Sequence, residues 1–146
     1  MIEQIQKLRD LTGAGVMDCR NALTEAKGDF DTALRIIKER GLVKAEKRAN
    51  RATGAGLLET YIHNERVAVI LELRCETDFV ARSQVFRDLS HKLVMQIAAM
   101  NPSDINSLLK QPYIKDESQI IEELIKSLIS NVGENIEIAR FTRYEL

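Results

Sequence analysis

In the stretch CETDFVAR, residues 75 to 82, a carboxylate and a phenyl ring stand side by side as Asp78 and Phe79. Two chemistries are open to them. Thr77 or Asp78 can accept backbone N–H groups and start a helix while Phe79 fills a core. Alternatively the segment protrudes, with Phe79 as an apolar contact and Asp78 as its polar companion. Phe79 lies seven residues before Phe86, the spacing of one helical stripe, but Arg82 and Ser83 interrupt it and Ser83 can cap a fresh helix. The residues alone leave packing and contact open.

Other candidate chemistry is thinner. LTGAGV, residues 11 to 16, has the glycines of a phosphate-cradling loop. A helical pattern precedes it where a dinucleotide fingerprint needs a strand, and no Gly-Lys-Ser/Thr ending follows. It reads as a turn between helices. Cys19 and Cys75 fall among apolar positions with no CxxC, and His63 and His91 have no partner at metal-ligand spacing. No serine sits in an elbow motif and no catalytic set stands out, which speaks against an enzyme without closing that reading, and no cofactor is expected. Met17 stands apart. On its predicted helix it shares a side with Arg20, Asn21 and Thr24, away from the stripe of Cys19 and Leu23. It is either part of a contact patch beside the turn at Ala14 or a single exposed apolar residue.

Periodicity defines the elements that must position these residues. Ile2, Ile5 and Leu8 recur at helical spacing before TGAG; Cys19, Ala22, Leu23 and Ala26 form a second stripe. Phe30, Ala33, Leu34 and Ile37 form a third, which Asp29 can cap and Gly41 is expected to end. Residues 1–41 therefore read as a three-helix module. Residues 42–56, rich in Ala, Lys and Arg, read as a basic helical linker with Lys44, Lys47, Arg48 and Arg51 on a solvated face. From Leu57 the period becomes two, and Asn64 suits the turn of a hairpin whose second arm carries Val67, Val69, Leu71 and Leu73. A helix with Phe86, Leu89, Leu93 and Ile97 follows the Asp78 corner. Residues 103 to 118 read as a short helix and a loop. The helix of Ile121, Leu124, Ile125, Leu128, Ile129 and Val132 then closes at Gly133, and ENIEIARFTRYEL alternates as a last strand. The fold class is α+β: a three-helix module, then a three-stranded antiparallel sheet packed with helices over residues 57–146.

The chain has 146 residues, 45% of them hydrophobic and 29% charged, the balance of a globular protein. A net charge of -1 speaks against direct nucleic-acid binding that relies on a basic excess. No apolar run reaches membrane-spanning length, and MIEQIQKLRD contains acids and is no signal peptide. A reduced, cytoplasmic setting is expected.

LRDLTGAGVMDCRNAL resembles the N-terminal signature of the bacterial and organellar elongation factor Ts family, and ELRCETDFVAR resembles its second signature. QPYIKDES and GENIEIARFTRYEL resemble its C-terminal stretch. The resemblance implies a guanine-nucleotide exchange factor for elongation factor Tu, with no active site of its own. It also implies that the first module is similar to a ubiquitin-associated domain and docks on the GTPase domain, with Arg9, Val16, Met17 and Arg20 at the matching contact positions. Thr77, Asp78, Phe79 and Val80 match the turn that pushes into the GTPase and disturbs its magnesium site. The alternative is a UBA-like interaction module that binds without promoting exchange. Three departures stand out: no second core subdomain or coiled-coil insertion, RATGAGLL in the linker, and a compact HNER turn. A three-stranded sheet has two edges, and lacking that subdomain the chain is expected to self-associate weakly or to form a homodimer.

Overall fold

The computed structural model describes residues 1–146. It opens with α1 (Ile2–Thr12), α2 (Val16–Glu25) and α3 (Phe30–Arg48). Their stripes meet in one buried cluster of Leu8, Cys19, Ala22, Leu23, Ala33 and Ile37. The Thr12 hydroxyl donates to the Leu8 carbonyl at 2.6 Å and accepts from the Ala14 N–H at 3.2 Å, so it closes α1 and shapes the corner. Asp29 caps α3 by accepting from the Thr32 N–H at 3.2 Å.

The third helix does not stop at Gly41. It runs through that residue to Arg48, and Ala45 is buried in the core of the second half of the chain. Gly41 marks a helix crossing instead of a helix end. A Cβ added there would lie 3.4 Å from the Ser130 hydroxyl oxygen, so the missing side chain lets α3 approach the helix that carries Ser130. Nor are Arg48 and Arg51 simply solvated. Arg48 donates to the Ile129 carbonyl at 3.4 Å and Arg51 to the Gly133 carbonyl at 3.2 Å. Both guanidinium groups thus sit at a helix C-terminus, where carbonyls lack intrahelical partners and the dipole favours a cation.

The remaining elements are β1 (Ala55–His63), β2 (Val67–Cys75), α4 (Asp78–Ala81), α5 (Gln84–Met100), α6 (Ile105–Lys110), β3 (Pro112–Tyr113), β4 (Asp116–Ile120), α7 (Ile121–Val132) and β5 (Glu137–Glu145). The sheet is antiparallel in the order β1-β2-β5, so β2 is central. Asn64 and Glu65 adopt positive φ of 51° and 59°, and the Arg66 N–H closes the hairpin turn onto the His63 carbonyl at 3.0 Å. Val69, Leu71, Leu73 and Cys75 line the inner face of β2 and pack with Phe86, Leu93 and Ile97 of α5 and Ile121, Ile125 and Ile129 of α7. The outer face is different. Leu58, Ile62, Ile70 and Tyr144 are all exposed there.

Residues 103 to 118 hold more order than a helix and a loop. After α6, β3 and β4 form a small ladder. Gln96, a fully buried side chain on α5, holds the β3 side of this ladder. Gln96 donates to the Pro112 carbonyl at 3.1 Å and accepts from the Ile114 N–H at 2.9 Å, as buried polar atoms require.

Gly56, within β1, has φ 152°, and a Cβ added there would fall 2.2 Å from the Leu73 carbonyl oxygen. The close approach of β1 to β2 therefore needs glycine. Gly56→Ala is expected to lower stability by about 2 kcal/mol, since the strands must part or the backbone must strain. Urea unfolding of the two proteins checks this, and an unchanged midpoint would contradict the hairpin register described.

Candidate partner-binding site

The Asp78 corner begins where β2 ends. Cys75 is the last inward side chain of the strand, and the chain must then turn before α5. Thr77 has extended backbone and caps α4, its hydroxyl accepting from the Val80 N–H at 3.3 Å. The Thr77 carbonyl accepts from the Ala81 N–H at 3.2 Å and from the Cys75 thiol at 3.2 Å. Burial, and after it the nearby Glu134 carboxylate, pushes the Cys75 thiol above its ordinary pKa. The sulfur thus keeps the proton that it donates to the corner.

α4 is a single helical turn, so one side of it meets the core and the other meets solvent. Val80 and Ala81 are buried in the core, whereas Phe79 is 87% exposed. Ser83 ends the turn and starts the next helix: its hydroxyl donates to the Val80 carbonyl at 2.6 Å and accepts from the Phe86 N–H at 3.4 Å. Phe86, on the far side of that break, has no exposed surface. The two rings therefore share no stripe, and packing does not account for Phe79. Asp78 and Thr77 are exposed beside it. Of the four residues expected at the corner, Thr77, Asp78 and Phe79 face solvent while Val80 anchors the turn from within.

Three side chains that sequence reasoning did not single out hold this corner. The Glu134 carboxylate accepts from the Glu76 N–H at 3.1 Å, the Thr77 N–H at 2.9 Å and the Thr77 hydroxyl at 2.7 Å. The Glu76 carboxylate accepts in turn from the Asn135 N–H at 2.8 Å and faces the Arg51 guanidinium at 3.6 Å. The Asn135 amide donates to the Arg51 carbonyl at 2.9 Å and the Ala49 carbonyl at 3.3 Å. The only local signal is the position of Glu134 and Asn135 directly after Gly133, the left-handed C-cap of α7.

The second expected group lies on the three-helix module. Arg9 sits in the last turn of α1; Val16, Met17 and Arg20 follow in α2, so the four flank the Thr12–Gly15 corner. Val16 is 47% and Met17 57% exposed, and both arginines are exposed. Met17 thus lies outside the module's core, which the Cys19 and Leu23 stripe fills. The two groups are mounted on different hydrophobic clusters, which α3 joins. His63 and His91 flank Tyr61, whose hydroxyl lies 3.0 Å from the His63 Nδ1. No helix is long and apolar enough to cross a membrane.

A family model described as Elongation factor TS matches residues 76–146. Elongation factor Ts of Thermotoga neapolitana is 37% identical over 189 aligned positions, which take in 99% of this chain and 96% of that protein. The corresponding protein of Petrotoga mobilis is 38% identical over 191 positions, covering 99% of this chain and 97% of its own. That of Moorella thermoacetica is 36% identical over 188 positions, with 97% and 93% covered. These alignments are longer than the 146 residues of this chain, so the relatives carry internal segments for which it has no counterpart.

Neighbouring substitutions at the corner should differ sharply in their cost to stability. Phe79→Ala is expected to shift stability by less than about 0.5 kcal/mol, because the ring has few contacts to lose. Val80→Ala, which empties a buried site, should cost about 1–3 kcal/mol. Thermal unfolding of both variants checks the pair, and a large loss in Phe79→Ala would return the ring to the core.

Proposed function

The chain belongs to the elongation factor Ts family of translation elongation factors, and from that premise we propose that it acts as a guanine-nucleotide exchange factor for elongation factor Tu. The observation that carries the reading is Phe79, a large apolar side chain held in solvent on a backbone whose polar groups are satisfied around it. In this reading Arg9, Val16, Met17 and Arg20 dock the three-helix module on the GTPase domain. Phe79 enters the GTPase as a wedge, with Asp78 as its polar companion and Thr77 and Val80 as the frame.

The physics asks for no covalent step. A GTPase holds its nucleotide partly through Mg²⁺, which bridges phosphate and protein oxygens. A wedge that displaces the elements positioning this ion weakens GDP. By linkage, the exchange factor must bind the nucleotide-free GTPase more tightly than the GDP-bound form, by the same factor that it weakens GDP. Burying one phenyl ring is worth roughly 1.5–3 kcal/mol, enough to supply a large share of such a coupling.

Release of labelled GDP from elongation factor Tu tests this directly. The unmodified protein should accelerate release, and Phe79→Ala should slow it roughly thirtyfold, the equivalent of about 2 kcal/mol at a buried interface anchor. Asp78→Asn should slow it less. No acceleration by the unmodified protein would refute the reading.

A second copy of the chain belongs to the same proposal. The outer sheet face presents Leu58, Ile62, Ile70 and Tyr144, with Glu72 held between Arg74 at 2.6 Å and Arg140 at 3.0 Å. Such a face suits two-fold pairing, since it carries both signs of charge beside the apolar groups and one copy's arginines can meet the other's Glu72. Pairing covers the apolar surface and adds to the area offered to the GTPase. Sedimentation should show dimers at micromolar concentration and monomers for Ile70→Glu; monomers alone for the unmodified protein would remove the second copy.

A further inference from the structure

We infer that Glu134 is the positioning residue of the exchange corner: its carboxylate sets the orientation in which Phe79 is presented, without touching the partner. The inference rests on the exchange reading above. α4 has one turn, and a single helical turn has no stability of its own because nucleation costs more than its few hydrogen bonds return. The conformation of the corner must therefore be imposed from outside it.

Glu134 is placed to do this. Its Oε1 accepts two successive backbone N–H groups, from Glu76 and Thr77, which fixes the peptide planes just ahead of the helix. Its Oε2 accepts from the Thr77 hydroxyl, leaving an oxygen lone pair of that hydroxyl for the Val80 N–H. Cap and carboxylate are thus coupled: without Glu134 the hydroxyl rotor is free and the cap loses its direction. The bonds also run the other way, from the Asn135 N–H to the Glu76 carboxylate. Residues 76–77 and 134–135 hence form a two-way clasp, each side supplying a carboxylate and an amide.

The base of this clasp is firm. Glu134 follows the C-cap of α7, a helix whose Ile121, Ile125 and Ile129 are buried in the core. Phe79 lies two residues beyond Thr77 on the exposed side. A small rotation at the clasp therefore swings the ring while leaving the core intact. All three bonds of the Glu134 carboxylate go to the backbone and hydroxyl of the corner itself, the geometry of a support for the wedge.

The test combines GDP release with amide hydrogen exchange. Glu134→Ala should raise exchange at the Thr77 and Val80 amides and slow GDP release by roughly tenfold. Glu134→Gln, which keeps one acceptor oxygen for the N–H groups, should restore part of both. In the Phe79→Ala background Glu134→Ala should slow release by less than about twofold, since a support has no further effect once the ring is gone. Equal slowing in both backgrounds would mean general destabilisation, and would overturn the inference. So would Glu134→Ala matching the unmodified protein while Phe79→Ala is slow. If the unmodified protein releases no GDP, the exchange reading fails by itself, and the Thr77 and Val80 amides still report whether Glu134 holds the corner. Should Glu134→Ala not fold, Glu134→Gln and Thr77→Val carry the same comparison, Thr77→Val removing the shared hydroxyl.

Discussion

Burial of one face of β2 governs everything downstream of it. Val69, Leu71, Leu73 and Cys75 must all point toward α5 and α7, and a strand alternates strictly, so a slip of one residue would turn the whole set to solvent. The register that follows places Cys75 as the last inward group. Its thiol then meets the Thr77 carbonyl, Thr77 caps the turn, and the turn lays Val80 inside and Phe79 outside. Exposure of a phenyl ring is unfavourable taken alone, and the core on the other side of the same turn holds it there.

Much of this was legible because it is local or periodic. The stripe of Cys19, Ala22 and Leu23, the cap at Asp29, the turn at Asn64 and the broad face of α7 each declare themselves within a few residues. Ser83 also announced the break that separates Phe79 from Phe86. The illegible parts depend on partners far along the chain. Gly41 looked like a helix stop, but its role is a crossing with α7 that only the tertiary arrangement creates. Arg48 and Arg51 looked solvated because the carbonyls they reach lie more than eighty positions away. Gln96 gave no sign that it would hold β3. The clasp at Glu134 joins residues 57 positions apart, with no period to betray it.

The two candidate contact groups differ in physical character. Met17 and Val16 sit at a helix corner among exposed charges, a surface suited to recognition. Phe79 sits on a braced single turn, a surface suited to exerting force on a partner. The two groups are mounted on separate hydrophobic clusters, so each is supported by its own core.

Their connection has a geometric consequence. Because α3 is unbroken from Phe30 to Arg48, the module and the core share one helical axis, and the Asn131 amide fastens the Thr12 carbonyl at 2.8 Å as a second tie. Distance and angle between the two contact groups are then set by helical phase. One residue inserted near Gly41 would turn the module by roughly 100° and advance it about 1.5 Å, whereas the same insertion in a slack linker would be absorbed. The chain between the two clusters behaves as a keyed shaft, and the length of α3 fixes how the two exposed groups are presented relative to each other.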